Sequence, residues 1–234
     1  MLKQVIILFG PPGAGKGTQS ELLSDKLGLY VSETSGIIGK KIAEAQPGAF
    51  VEVDGEKYYF AKEKEIADAG TLWDPPFVVT LMLEKIKELA DEGRSIIFSG
   101  SPRTAYEVEK MMPFIENLYG KENIKIVLIE VEPEVTILRN SNRKTCELMR
   151  HSILTNEETK NLTLCPLDGS KLLMRKDDND PEVIKKRINQ YVERTLPMID
   201  YFNKNNFEVN KINGDQTIDK VFNDILNAIE KNGK

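Results

Sequence analysis

Lys16, Arg103, Arg139, Arg143, Arg175 and Arg187 are the residues of this chain whose type and neighbours suit work on phosphate. Lys16 closes the run Gly10-Pro11-Pro12-Gly13-Ala14-Gly15-Lys16-Gly17-Thr18, directly after the apolar stretch Val5-Ile6-Ile7-Leu8-Phe9. A strand that ends in a tight glycine turn and opens a helix aims several backbone N–H groups at one point, and the helix dipole adds about half a positive charge there. Glycine is required wherever a Cβ would block a phosphate oxygen or forbid the dihedrals. The run matches Gly-x-x-x-x-Gly-Lys, but the hydroxyl expected beside the lysine comes one place later, at Thr18 after Gly17. Arg103 follows a predicted strand within Gly100-Ser101-Pro102-Arg103-Thr104. Arg139 and Arg143 share a predicted helix, and Arg175-Lys176-Asp177-Asp178 precedes the helix that bears Arg187. Guanidinium groups fork onto phosphate oxygens, so such a set implies a grip on more than one phosphate group.

These side chains need a scaffold that brings distant segments to one edge. Val5 to Phe9, Leu29 to Ser32, Ser95 to Ser99, Ile124 to Val131 and Phe207 to Ile212 read as strands. Helical periodicity lies between them: Leu22, Leu23 and Leu27 on one face; Val79, Leu83, Ile86 and Leu89 on another; Ile184, Ile188, Tyr191 and Ile199 on a long third that opens at Asp180-Pro181. The alternation predicts an α/β fold, a doubly wound parallel five-stranded sheet with helices on both faces. Two stretches break it. Between Ser35 and Asp74, Phe50 to Phe60 contains Asp54-Gly55 between β-prone flanks and predicts a hairpin. Between Arg143 and Arg175 there is little periodicity. Both read as inserts at the carboxyl edge of the sheet, where ligands of such folds bind.

Composition sets the outer bounds. The 234 residues suit one core with inserts, and a net charge of −5 gives no basic surface for nucleic acid. Five apolar residues before the glycines are too few for a signal core or a membrane span, which predicts a cytoplasmic protein. Two cysteines, Cys146 and Cys165, suit free thiols or metal thiolates there, and a single histidine, His151, excludes mechanisms that need two.

The spaced motifs together resemble the adenylate kinase family, nucleoside monophosphate kinases of the P-loop type. They are Gly-x-Pro-Gly-x-Gly-Lys-Gly-Thr-Gln at 10 to 19, Thr34-Ser35-Gly36, Asp68-Ala69-Gly70, Gly100-x-Pro-Arg-Thr, Arg139-x-x-x-Arg143, Arg175-x-Asp-Asp, Arg187-x-x-x-Tyr-x-x-x-Thr-x-Pro and Asn213-Gly214. The resemblance covers nearly the whole chain. It implies reversible phosphoryl transfer from magnesium-bound ATP to AMP, with Gly13, Ala14, Gly15, Lys16, Gly17, Thr18, Arg143 and Gln216 at the ATP side. It places Ser35, Gly36, Lys40, Leu72, Trp73, Gly100, Arg103, Glu107, Arg175 and Arg187 around the acceptor. By the same likeness 35–74 is the monophosphate-binding insert, 143–176 a lid with Asp177 and Asp178 at its hinge, and 1–34, 75–142 and 177–234 the core.

The chain also departs from the family. Ser99 and Ile37 stand where carboxylates usually hold the waters of Mg²⁺, which leaves a nucleotide-binding protein of weak catalysis as one alternative. Lys40 replaces an arginine and keeps the charge without the fork. Glu107 replaces a glutamine that reads adenine; a carboxylate only accepts, so GMP, UMP or CMP are alternative acceptors. In the lid, Cys146, His151, Cys165 and Asp168 offer ligand types that structural zinc accepts, against a lid held by packing and hydrogen bonds. The sequence carries no sign of oligomeric state.

Overall fold

The computed structural model describes residues 3–141, 143–149, 152–153, 159–174 and 181–231. Five strands, β1 (Val5–Phe9), β2 (Tyr30–Ser32), β5 (Ile96–Ser99), β6 (Ile124–Glu130) and β10 (Val209–Asn213), form one parallel sheet in the order β10-β6-β1-β5-β2. The five predicted strands are all present, trimmed or extended by a residue or two at their ends. β1 is central, with Val5 opposite Ile96 on one side and Ile124 on the other, and all five of its residues are buried. This is why the run is apolar without alternation: a parallel strand covered on both faces shows no polar side.

Val5, Ile7 and Phe9 face a layer of α4 (Pro75–Asp91), α5 (Ala105–Tyr119) and α8 (Met198–Lys204), including Phe77, Met82, Met111 and Phe202. Ile6 and Leu8 face α1 (Lys16–Leu27) and α9 (Ile218–Lys231) through Leu23, Val221 and Ile225. Full burial of each such side chain contributes about 1.5–3 kcal/mol. On α1 the predicted face is only partly right, since Leu23 is buried while Leu22 is exposed.

Between β2 and α4 lie α2 (Thr34–Glu44), an antiparallel pair β3 (Phe50–Val53) and β4 (Glu56–Tyr59), and α3 (Phe60–Asp68). Asp54 and Gly55 turn the hairpin with φ of 53° and 84°, the two left-handed residues that a right-twisted two-residue turn requires. After α6 (Pro133–Ser141) comes a small antiparallel sheet, β8 (Ser152–Ile153), β7 (Lys144–Cys146) and β9 (Leu172–Met174), in that order. Its strands of two or three residues are too short to leave a periodic signal.

The long third helix is not one helix. α7 (Pro181–Gln190) passes into a π-helical turn, Tyr191–Thr195, before α8. The Leu196 N–H bonds to the Tyr191 carbonyl at 2.9 Å, one residue further back than in an α-helix. The inserted residue rotates the faces of α7 against those of α8, so no single 3.6-residue period describes both.

Candidate active site

The glycine loop hangs from the carboxyl end of β1 and feeds α1. Gly13 (φ 82°) and Gly15 (φ 89°) are left-handed, and Gly15 stands at the N-cap of α1 with no side chain to satisfy the first N–H groups. Those donors therefore face the loop's mouth, available to an anion. A Cβ on Gly13 would lie 2.7 Å from Asn140 Nδ2 and 3.2 Å from the Thr136 carbonyl oxygen, so the loop needs glycine to seat against α6. Asn140 itself donates to the Thr136 carbonyl at 2.8 Å and is buried. Nothing at the level of sequence singled out Thr136 or Asn140 as supports of the loop.

Lys16 lies back over its own loop, its ammonium donating to the carbonyls of Gly10 (2.8 Å) and Pro11 (2.9 Å). Burial lowers its pKa from the ordinary 10.5 to about 7, and the charges of Arg103, Arg187 and Arg143 push the same way. The three arginines come from the β5–α5 loop, the segment between α6 and β7, and α7, near enough to Lys16 for their charge to be felt there.

The sign of the pH effect follows. Between about pH 7 and 10.5 the folded, ligand-free chain holds fewer protons at Lys16 than the unfolded chain, so this group's contribution to stability rises with pH through that window and is least favourable below it. A phosphate chain reverses the repulsion and recharges the amine. Binding of ATP near pH 8.5 is expected to take up about one proton. Calorimetry in two buffers of different ionisation enthalpy measures this, and zero uptake contradicts it.

The other residues fall into three groups. Arg103 and Gly100 adjoin one another, the guanidinium lying 2.7 Å from where a Gly100 Cβ would be. Arg139 donates from Nη2 to the Gly214 carbonyl at 3.0 Å, which sets it against the loop after β10, and there Gln216 donates to the Asn213 carbonyl (2.8 Å) and to Asp224 (2.9 Å). Across the sheet, Ser35 and Gly36 lie in the first turn of α2, while Leu72 and Trp73 lie in the partly buried loop between α3 and α4. Lys40 points out on the exposed side of α2, 3.9 Å from Glu44. Arg175 and His151, with Asp177 and Asp178, lie outside the described residues.

Glu107 is buried at 3% exposure. One carboxylate oxygen accepts from the Ser101 hydroxyl and the Arg103 N–H, both at 2.9 Å, and the other from the Thr104 hydroxyl at 3.1 Å. Thr104 is the N-cap of α5 and accepts from the Glu107 N–H at 3.2 Å. Burial raises the carboxyl's pKa, against the pull of the bonds from Arg103 and Ser101. The pair is a variant of the capping box, and Thr104-x-x-Glu107 is its sequence signature. Sequence reasoning weighed this side chain as a base contact or as a solvated residue at the start of a helix, and missed the cap.

Cys146 at the end of β7 and Cys165 and Asp168 in the segment before β9 place their ligand atoms within 4.8 Å of one another, both cysteines buried. The Cys146 thiol donates to Asp168 Oδ2 at 3.0 Å, which, with the bonds from Ser170, holds the carboxyl well below the usual range. Two thiols and a carboxylate at this spacing are a donor set that suits zinc.

Residues 8–207 match the family described as adenylate kinase. The chain is 33% identical over 227 residues to an adenylate kinase of Clostridioides difficile (strain 630), covering 96% of this chain and 97% of that one. It is 32% identical over 227 residues to an adenylate kinase of Methanosarcina barkeri (strain Fusaro / DSM 804), covering 97% and 98%, and 30% identical over 227 residues to one of Chlamydia pneumoniae, again covering 97% and 98%. No helix among the described residues is long and apolar enough to cross a membrane. With a glycine loop on the central strand, a parallel sheet in the order β10-β6-β1-β5-β2 and a family match over residues 8–207, the chain belongs to the adenylate kinase family.

Proposed function

We propose that this chain transfers a phosphoryl group reversibly between ATP and AMP, giving two ADP, and that the cations beside Lys16 are the transfer site. The observation that carries the reading is the left-handed glycine loop at the end of the central strand, with the first amides of α1 uncapped and Lys16 laid over the loop, where the charges of Arg103, Arg187 and Arg143 are felt. Phosphoryl transfer asks little covalent help of a protein; it asks that donor and acceptor be held in line and that charge on the equatorial oxygens be balanced. In this reading the backbone of Gly13 to Thr18 and Lys16 hold the ATP phosphates. Arg143 balances the donor side, Arg103 and Arg175 grip the acceptor phosphate, and Arg187 reaches both. Arg139 and Gln216, beside Gly214, border the donor base. Residues 35–74 form the acceptor insert and 143–176 the lid.

Mg²⁺ accompanying ATP would neutralise phosphate charge; Thr18 and Ser99 are hydroxyl donors of the hard-oxygen type it takes, leaving most of its shell to phosphate and water. A structural zinc ion would be held by Cys146, Cys165 and Asp168, with His151 as fourth ligand. The supporting observation is the three ligand atoms already gathered within 4.8 Å. Purified protein is expected to carry about one equivalent of zinc, and elemental analysis finding none rejects the site.

A coupled assay with ATP and each monophosphate in turn tests the activity. AMP is expected to exceed GMP, UMP and CMP in kcat/KM by at least about tenfold, the size of one mispaired base edge. Absence of turnover with every acceptor rejects the reading. Since both oxygens of Glu107 are engaged within its own turn, Glu107→Gln is expected to leave the order of acceptors unchanged. A reordering would return that side chain to the base edge.

A further inference from the structure

Arg103 is held at its main chain from both sides. Its N–H donates to Glu107 Oε2 at 2.9 Å, and its carbonyl accepts from the Thr195 hydroxyl at 2.7 Å. Thr195 is 92 residues away in sequence, 6% exposed, and is the last residue of the π-helical turn that joins α7 to α8. A π turn costs helical hydrogen-bond geometry and survives where it places a particular group. Here the group is that hydroxyl. The same turn ends the helix that bears Arg187, whose charge meets Lys16 together with that of Arg103.

We infer that Thr195 is a positioning residue for phosphoryl transfer: its hydroxyl, delivered by the π turn, fixes the backbone of Arg103 and ties the register of the Arg187 helix to the acceptor-phosphate arginine. This rests on the reading of Arg103 as an acceptor-phosphate ligand. The Arg103 guanidinium reaches across Gly100, which has no Cβ to stop it, so rotation of the main chain at 103 would swing the charged group at the far end of a long lever. Glu107 holds the N–H of the peptide before the Arg103 Cα and Thr195 the carbonyl of the peptide after it; with either missing, residue 103 is fixed on one side only. A side chain that must meet a phosphate oxygen in line loses rate steeply with small misplacement.

The test compares Thr195→Val, which keeps shape and removes the hydroxyl, with Thr195→Ser, which keeps the hydroxyl. Steady-state kinetics of Thr195→Val should show an acceptor KM raised about five- to tenfold, the worth of one positioning hydrogen bond, with the KM for ATP within about twofold of the parent. Thr195→Ser should restore the acceptor KM. In an Arg103→Ala background, Thr195→Val should add no further change, because the lever it steadies is gone. Equal rises in both KM values, or no rescue by serine, mark a merely structural role and overturn the inference. Arg103→Ala raising the acceptor KM while Thr195→Val leaves it unchanged overturns the inference alone. Arg103→Ala leaving the acceptor KM unchanged overturns the assignment of Arg103 beneath it.

Discussion

Replacing Lys16 with Met is expected to lower kcat/KM about a thousandfold while the folded state holds or gains stability. Loss of one preorganised donor at a developing oxyanion commonly costs about 10²- to 10³-fold, and Lys16 adds a full charge at the outer phosphates. Stability should not fall, because the empty site disfavours that charge: burial and three arginines already drive the amine toward its neutral form. An apolar chain of similar length relieves the repulsion and leaves unmade only two bonds, to the carbonyls of Gly10 and Pro11. Activity and a urea midpoint measured on the same sample separate the two effects. Turnover within about tenfold of the parent would falsify the role given to Lys16.

Gly10→Ala is expected to destabilise the protein by about 3 kcal/mol, the sum of backbone strain and overpacking. Gly10 has φ of 152°, and a Cβ there would overlap the carbonyl oxygen of Ile129, with the carbonyl carbon at 3.3 Å and the Ala14 Cβ at 3.4 Å. Ile129 belongs to β6, the neighbour of β1, so the obstacle is main chain in the middle of the sheet and has nowhere to go. The shift must then fall on the loop and carry Lys16 with it, so activity falls as well as stability. Chemical denaturation reads the first and the coupled assay the second. A loss below about 1 kcal/mol would mean that β1 and β6 part more easily than their burial implies.

The parts of this molecule that were legible in its sequence are those in which one local rule is obeyed without competition. Val5 to Phe9 is apolar throughout because both sheet faces are covered, and Gly10, Gly13 and Gly15 after it are required by positive φ. Asp54-Gly55 is a hairpin turn by its residues alone. Where two demands met on one residue, sequence reasoning chose one. Glu107 was assigned to a base because of its place in a motif, while its bonds serve the α5 cap and the Arg103 N–H. The π turn left no mark of its own because it adds a residue to a helix without a change in composition; the one signal of the break was Pro197, the N-cap of α8, which the shared periodicity of Ile184 and Ile199 outweighed. β7, β8 and β9 were too short to alternate. Thr195 appeared in a motif, but only the fold discloses that a residue 92 positions earlier receives its hydroxyl.

The resting posture of Lys16 bears on which solutes the site ignores. Its nitrogen already has two carbonyl partners on a loop that the central strand keeps still, and above about pH 7 it rests there largely uncharged, so a newcomer must both draw it away and restore its proton. Chloride or bicarbonate brings a single diffuse charge and gains too little from the exchange, whereas a chain of linked phosphates engages the amide donors and the arginines together and outweighs it. The loop's own oxygens thus serve as a threshold that background salt does not cross.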